Sequence, residues 1–139
     1  MPRRAFLISA VAVSGWCVKL EAQKQKPPTA APACQAWAGK SMFGPKDSVI
    51  TTWVLVSGDG KSWTQHFPNR DPMPARVLAS GGDSLVLEFG PYSSIMRPGQ
   101  MVTTRTVGHV RGKEMTGTFE AHFASGDVVR GKHAATCKQ

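Results

Sequence analysis

The amino-acid sequence predicts an all-β domain: about eight antiparallel strands forming a single up-and-down barrel or a strongly curled sheet. Three observations predict it. From residue 37 onward, runs rich in β-branched and aromatic residues alternate with short turn signals built on Gly and Asp. No stretch of that region carries a sustained helical period. One choice of turns between the last three strands sorts apolar and polar residues onto opposite faces. Length and composition agree: 139 residues, 41% hydrophobic and 19% charged, with 14 Gly and 10 Pro. That makes one foldable, turn-rich domain and excludes a coiled coil, a collagen-like repeat and a multi-span membrane protein.

The N-terminus reads as an export signal. Arg3 and Arg4 precede the apolar run Ala5 to Val18, and Leu20-Glu21-Ala22 offers a small residue for cleavage. The run is shorter than the roughly 20 residues a membrane-spanning helix needs. Residues 1–22 are therefore expected to be a signal peptide, with membrane association only if the segment is retained. Arg3-Arg4-Ala5-Phe6-Leu7 also looks like the core of a twin-arginine signal, and the ordinary export route remains open. Trp16 before Cys17 is too large for a lipoprotein box. Residues 23–33 are polar and Pro/Ala-rich and read as a flexible leader. Residues 34–139 form the barrel domain, in the periplasm or outside the cell.

Cys34 and Cys137 bracket that domain, and in an oxidising compartment such a pair predicts a disulfide clasp. The expected strands follow in order: Trp37–Phe43, Ser48–Val56, Ser62–Phe67, Ala75–Ser80, Ser84–Phe89, Met101–Val110, Lys113–Phe123 and Val128–Thr136. Gly44-Pro45-Lys46-Asp47, Gly58-Asp59-Gly60, Gly81-Gly82-Asp83, Arg111-Gly112 and Ser125-Gly126-Asp127 separate most of them. Two longer proline-bearing connections remain, 68–74 and 90–99.

The last three strands test the register. With Arg111-Gly112 as a two-residue turn and Ser125-Gly126-Asp127 as a three-residue loop, one face holds Val102, Thr104, Thr106, Gly108, Met115, Gly117, Phe119, Ala121, Phe123, Val129, Gly131, His133 and Ala135. The other holds Thr116, Thr118, Glu120 and His122, with Glu120 across from Lys132. This register also sets His133 beside Phe119. The inner face is rich in small residues. Either Trp37, Trp53, Trp63 and Phe89 fill the space they leave, or a ligand cavity of a few hundred cubic ångströms remains. In the second case Thr104, Thr106, Phe119 and His133 are the candidate ligand-binding residues, with the Thr hydroxyls and the imidazole as polar handles.

Trp37-Ala38-Gly39 at the start of the first strand, a hairpin meander and a closing disulfide resemble the calycin architecture of lipocalins and avidins. The resemblance covers residues 37–137 by architecture and three residues by motif. It implies that Trp37 closes the barrel floor, and that Arg130 takes the part of the lipocalin Arg packed over that Trp. It also implies a lipocalin-like protein that holds a small apolar or amphipathic molecule. In other respects the chain looks like small exported bacterial proteins.

Chemistry motifs are sparse. His66, His109, His122 and His133 form no metal-ligand spacing, and the serines form no nucleophile elbow. Glu120 and His122 share an outward face, and His109 and Glu114 are expected to pair across the Arg111-Gly112 turn. No catalytic residue, metal or cofactor is expected, and the protein reads as a non-enzyme. Removing residues 1–22 leaves 14 basic and 8 acidic residues, a net +6. The basic residues scatter rather than cluster, so nucleic acid is not an expected partner. The alternative is an accessory subunit of an envelope or membrane-bound complex. It would dock through the long connections, with Arg70, Tyr92, Ile95, Met96 and Arg97 as its candidate partner-binding residues.

Overall fold

The computed structural model describes residues 34–138. The expected signal peptide, the leader and Cys17 lie outside the described residues. Eight antiparallel strands run in chain order: β1 (Ala36–Phe43), β2 (Ser48–Val56), β3 (Trp63–His66), β4 (Met73–Gly81), β5 (Ser84–Ser93), β6 (Met101–Arg111), β7 (Glu114–Phe123) and β8 (Val128–Cys137). Each pairs with the next, and β8 returns to β1, so the sheet closes into an up-and-down barrel. Closure removes the free edges that a curled sheet would expose. No helix occurs among the described residues.

Both termini of the barrel lie at one end, with the β2–β3, β4–β5 and β6–β7 turns. There Cys34 and Cys137 are joined in the expected disulfide, with Cα atoms 5.9 Å apart. Trp37, buried beside Leu55 and Trp63, fills this end. The β1–β2, β3–β4, β5–β6 and β7–β8 connections form the opposite end.

The two faces of β6, β7 and β8 are the expected ones, but both hairpin registers sit two residues away from those predicted. Arg111 pairs with Glu114, so the first turn is Gly112-Lys113, with Gly112 at φ 62°. In β7–β8 the last pair is His122–Val128, which lengthens the connection. A slip of two residues keeps every side chain on its face because the pleat repeats every two; it changes only the neighbours. Glu120 therefore opposes Arg130, with 3.1 Å between Arg130 Nε and Glu120 Oε1, while Lys132 turns to Asp47 at 3.6 Å. His133 opposes Gly117, not Phe119. His109 does not meet Glu114; its Nδ1 lies 3.1 Å from the Ser84 hydroxyl. Arg130 is exposed on the outer face and does not pack over Trp37.

Strand β5 runs four residues beyond its expected end. Its ladder with β6 shifts between Phe89 and Tyr92, across a cis Gly90-Pro91 bond. Gly90 has φ 110°, and a Cβ there would lie 2.7 Å from the Val102 carbonyl oxygen. Only glycine fits that approach. In strict alternation Tyr92 would face opposite to Phe89. The inserted residue turns both inward, and their rings stack with centroids 5.9 Å apart.

Candidate functional site

An interior cavity of about 70 Å³ lies between the core at the disulfide end and the loops at the other. It is far smaller than the few hundred cubic ångströms expected of a hollow barrel, and about half the ~150 Å³ apolar cavity that accepts benzene. Trp53 explains much of the loss. Its ring lies over Gly39, where a Cβ would meet it at 2.5 Å, and its Nε1–H donates to Ser41 Oγ at 3.1 Å. Trp53, Trp63, Trp37 and Phe89 are all buried. Most of the interior is filled, and a residual space remains.

Thr104, Thr106, Phe119 and His133 all line that space, so the structure brings the four candidate ligand-binding residues together. So do Tyr92, Ile95 and Met96, which the sequence assigned to an outward docking surface. The Tyr92 hydroxyl lies 2.7 Å from Thr104 Oγ1. Burial pushes the phenol above its usual range, against the smaller opposing effects of the Thr104 hydrogen bond and Arg70. Two hydroxyls sharing one hydrogen bond leave one O–H free to donate.

Arg70 and Arg97 stand outside the cavity and tie the loop end together. The Arg70 guanidinium donates to the Ser93 carbonyl. Arg97 bonds Asp127 at 2.8 Å and lies 4.3 Å above the Phe123 ring. The segment between β5 and β6 is further closed by Ser94 N–H donating to the Gln100 carbonyl, and by Arg97 N–H donating to Ser94 Oγ. It caps the cavity with Ile95 and Met96 beneath it.

His133 is 5% exposed. Its Nε2 sits 2.9 Å from the main-chain carbonyl oxygen of Val107, and its Nδ1 is buried with no hydrogen-bond partner. The edge of Trp53 meets the ring at 5.9 Å. Burial lowers the imidazole below its usual range, His109 adds to this, and the Val107 hydrogen bond opposes it. Room for the ring comes from a glycine pair, Gly108 opposite Gly117. A Cβ on Gly117 would lie 1.7 Å from the Val107 oxygen and 2.8 Å from His133 Nε2.

Sequence reading missed Gln65 and Ser94, both buried and both lining the cavity. Gln65 was findable, since it alternates with Trp63 and Phe67, two buried aromatics. Ser94 was not, because its position depends on the bulge at Gly90. Elsewhere, Glu120 is held below the usual carboxylate range by Arg130 and then His122, and Glu88 by Arg76 and Arg105. These are outer-face ion pairs. Among the described residues no three His, Cys, Asp or Glu side chains converge as metal ligands. No family model, no curated protein and no solved structure matches this chain.

Proposed function

We propose that this chain is a non-catalytic binding protein whose barrel interior takes up one small, mainly apolar molecule, as the resemblance to calycins implies. One observation carries the reading: a largely apolar cavity, capped by a tied-down loop, with His133 on its wall, an imidazole whose buried Nδ1 no protein group satisfies. Most ligand pockets are apolar with a few placed polar groups, and buried polar atoms are nearly always partnered. The 70 Å³ of free space sets the scale at a few non-hydrogen atoms unless the β5–β6 segment lifts. The imidazole hydrogen-bonds to a main-chain carbonyl rather than to a carboxylate, which supports a binding role over a proton-transfer one. Docking through the long loops draws no comparable support, because Tyr92, Ile95 and Met96 turn to the interior. Export to the periplasm or beyond belongs to the same proposal, and a disulfide is compatible with it. Native mass spectrometry of the protein from its own host tests the reading. The expected result is a chain two daltons lighter than its reduced mass, carrying a small retained molecule. A bare chain that takes up no added small neutral molecule contradicts it.

A further inference from the structure

We infer that the guest is a small uncharged molecule with a hydrogen-bond donor and acceptor side by side, which pairs through both with the side-chain amide of Gln65. The inference rests on the binding reading above and adds the chemistry its guest must have. It begins with the place of Gln65 on β3. The residue is 4% exposed and lines the cavity, on the face it shares with the buried rings of Trp63 and Phe67. Leu55 stands opposite it in β2 and Met73 in β4. The side chains of Leu55, Met73 and Phe67 hold no nitrogen or oxygen that could satisfy an amide.

The amide is unpartnered but not sealed. Its nitrogen and oxygen make no hydrogen bond to a described residue. Among the described residues, His133 Nδ1 is the only side-chain nitrogen or oxygen that is both unpartnered and closed to a water molecule. The Gln65 amide therefore keeps an accessible surface, and for an inward-facing residue so deeply buried that surface is the cavity wall. Other polar groups around the cavity are already engaged. Ser41 accepts from Trp53, Ser94 accepts from the Arg97 amide, and Tyr92 and Thr104 bond each other.

The guest's chemistry follows from that of the amide. A primary amide offers a carbonyl oxygen and an N–H along one edge. Turning the amide over exchanges the two and still leaves one acceptor and one donor on that edge. Its complement is the edge of a carboxamide, a lactam, an undissociated carboxylic acid or a pyrazole. The guest's charge follows from the rest of the wall. No Asp, Glu, Lys or Arg lines the cavity, so an ion placed there would lose its hydration without gaining a counter-charge. The apolar part of the guest has an aromatic wall in Phe67, Phe89 and Tyr92, whose ring centroids are mutually 5.9–6.2 Å apart.

Pyrazole, pyrrole and furan test this directly. All are small, flat, neutral five-membered rings of nearly equal shape. Pyrazole has an N–H beside an accepting ring nitrogen, pyrrole has the N–H alone, and furan has no N–H. Each is titrated into the full chain with its disulfide intact and its glutamine side chains labelled with ¹⁵N. The same titrations are run on Gln65→Leu, which removes the amide and keeps an apolar side chain of similar size. We expect the ratio of pyrazole to furan affinity to be about tenfold higher in the native chain than in the variant, with pyrrole between them. Pyrazole, and not furan, should shift the side-chain NH2 resonances of Gln65. Should the variant fail to fold, that shift in the native chain decides. If the rings bind with the same ratio in both chains, or pyrazole leaves the Gln65 resonances unmoved, the inference is overturned. The amide then belongs to a resident water, and the binding reading stands. Pyrrolidinium binding as tightly as pyrazole overturns the claim of neutrality. If no ring binds and no interior resonance moves, the binding reading itself fails and the inference falls with it.

Discussion

His133 couples the stability of the barrel to pH. Unfolded, its imidazole titrates near 6.5; in the barrel, burial holds it lower. Below about pH 6.5 the unfolded chain takes up a proton that the folded chain does not, so stability falls as pH falls, and it is flat in this respect above that value. The slope is at most about 1.4 kcal/mol per pH unit from this one group. Glu88 and Glu120 are both held below 4.5 and stay charged through that window. Urea midpoints measured from pH 7.5 down to about 5 should decline in the native chain and decline less in His133→Gln, which keeps a donor for Val107. The glycines give a second residue-level prediction. Gly117→Ala sets a methyl 1.7 Å from a backbone oxygen and should cost ~3 kcal/mol or more. Gly82→Ala, with open space around it and φ 59°, should cost only ~1 kcal/mol. Thermal melts of the two variants check the ranking.

At the scale of elements, the β5–β6 segment covers the cavity with Ser94, Ile95 and Met96. Its ties are an ion pair on the surface, a ring contact and a few main-chain bonds. Exposed ion pairs contribute little to global stability. Arg97→Ala should therefore leave the melting temperature nearly unchanged while speeding hydrogen exchange at the Ser94 and Gln100 amides several-fold. No change at those amides would mean that Arg97 does not hold the cap. This segment also marks the limit of what the sequence reveals. Faces were legible wherever two strands joined through a short turn, because only parity matters: Phe119 and His133 were assigned inward although their partners were assigned two residues off. Tyr92 was not legible. The bulge at Gly90-Pro91 reverses its face, and alternation across a proline-bearing stretch gives no warning of an inserted residue.

The described residues form a closed ring of strands, and its last ladder, β8 on β1, is reinforced by Cys34–Cys137, 103 residues apart in sequence. A cross-link over so long a loop contributes up to ~4–5 kcal/mol through the entropy of the unfolded chain. Reduction, or Cys34→Ser with Cys137→Ser, should lower the urea midpoint by a corresponding amount without opening the barrel, because β1 and β8 keep six paired positions. Circular dichroism of the reduced chain should retain its β signature. The fold class was legible at this scale from strand runs, turn signals and the cysteine pair. Cavity size was not, since it depends on how far Trp53 and the Ile95–Met96 cap reach inward, which no spacing rule expresses. The central claim is that the interior takes up a guest. Methyl-resolved NMR during a pyrrole titration tests it most directly. The account predicts saturable shifts at Met96, Met115 and Ile95, with the outward-facing Leu78 and Val77 unmoved. Shifts confined to those exposed methyls, or no saturable shift inside, would contradict it.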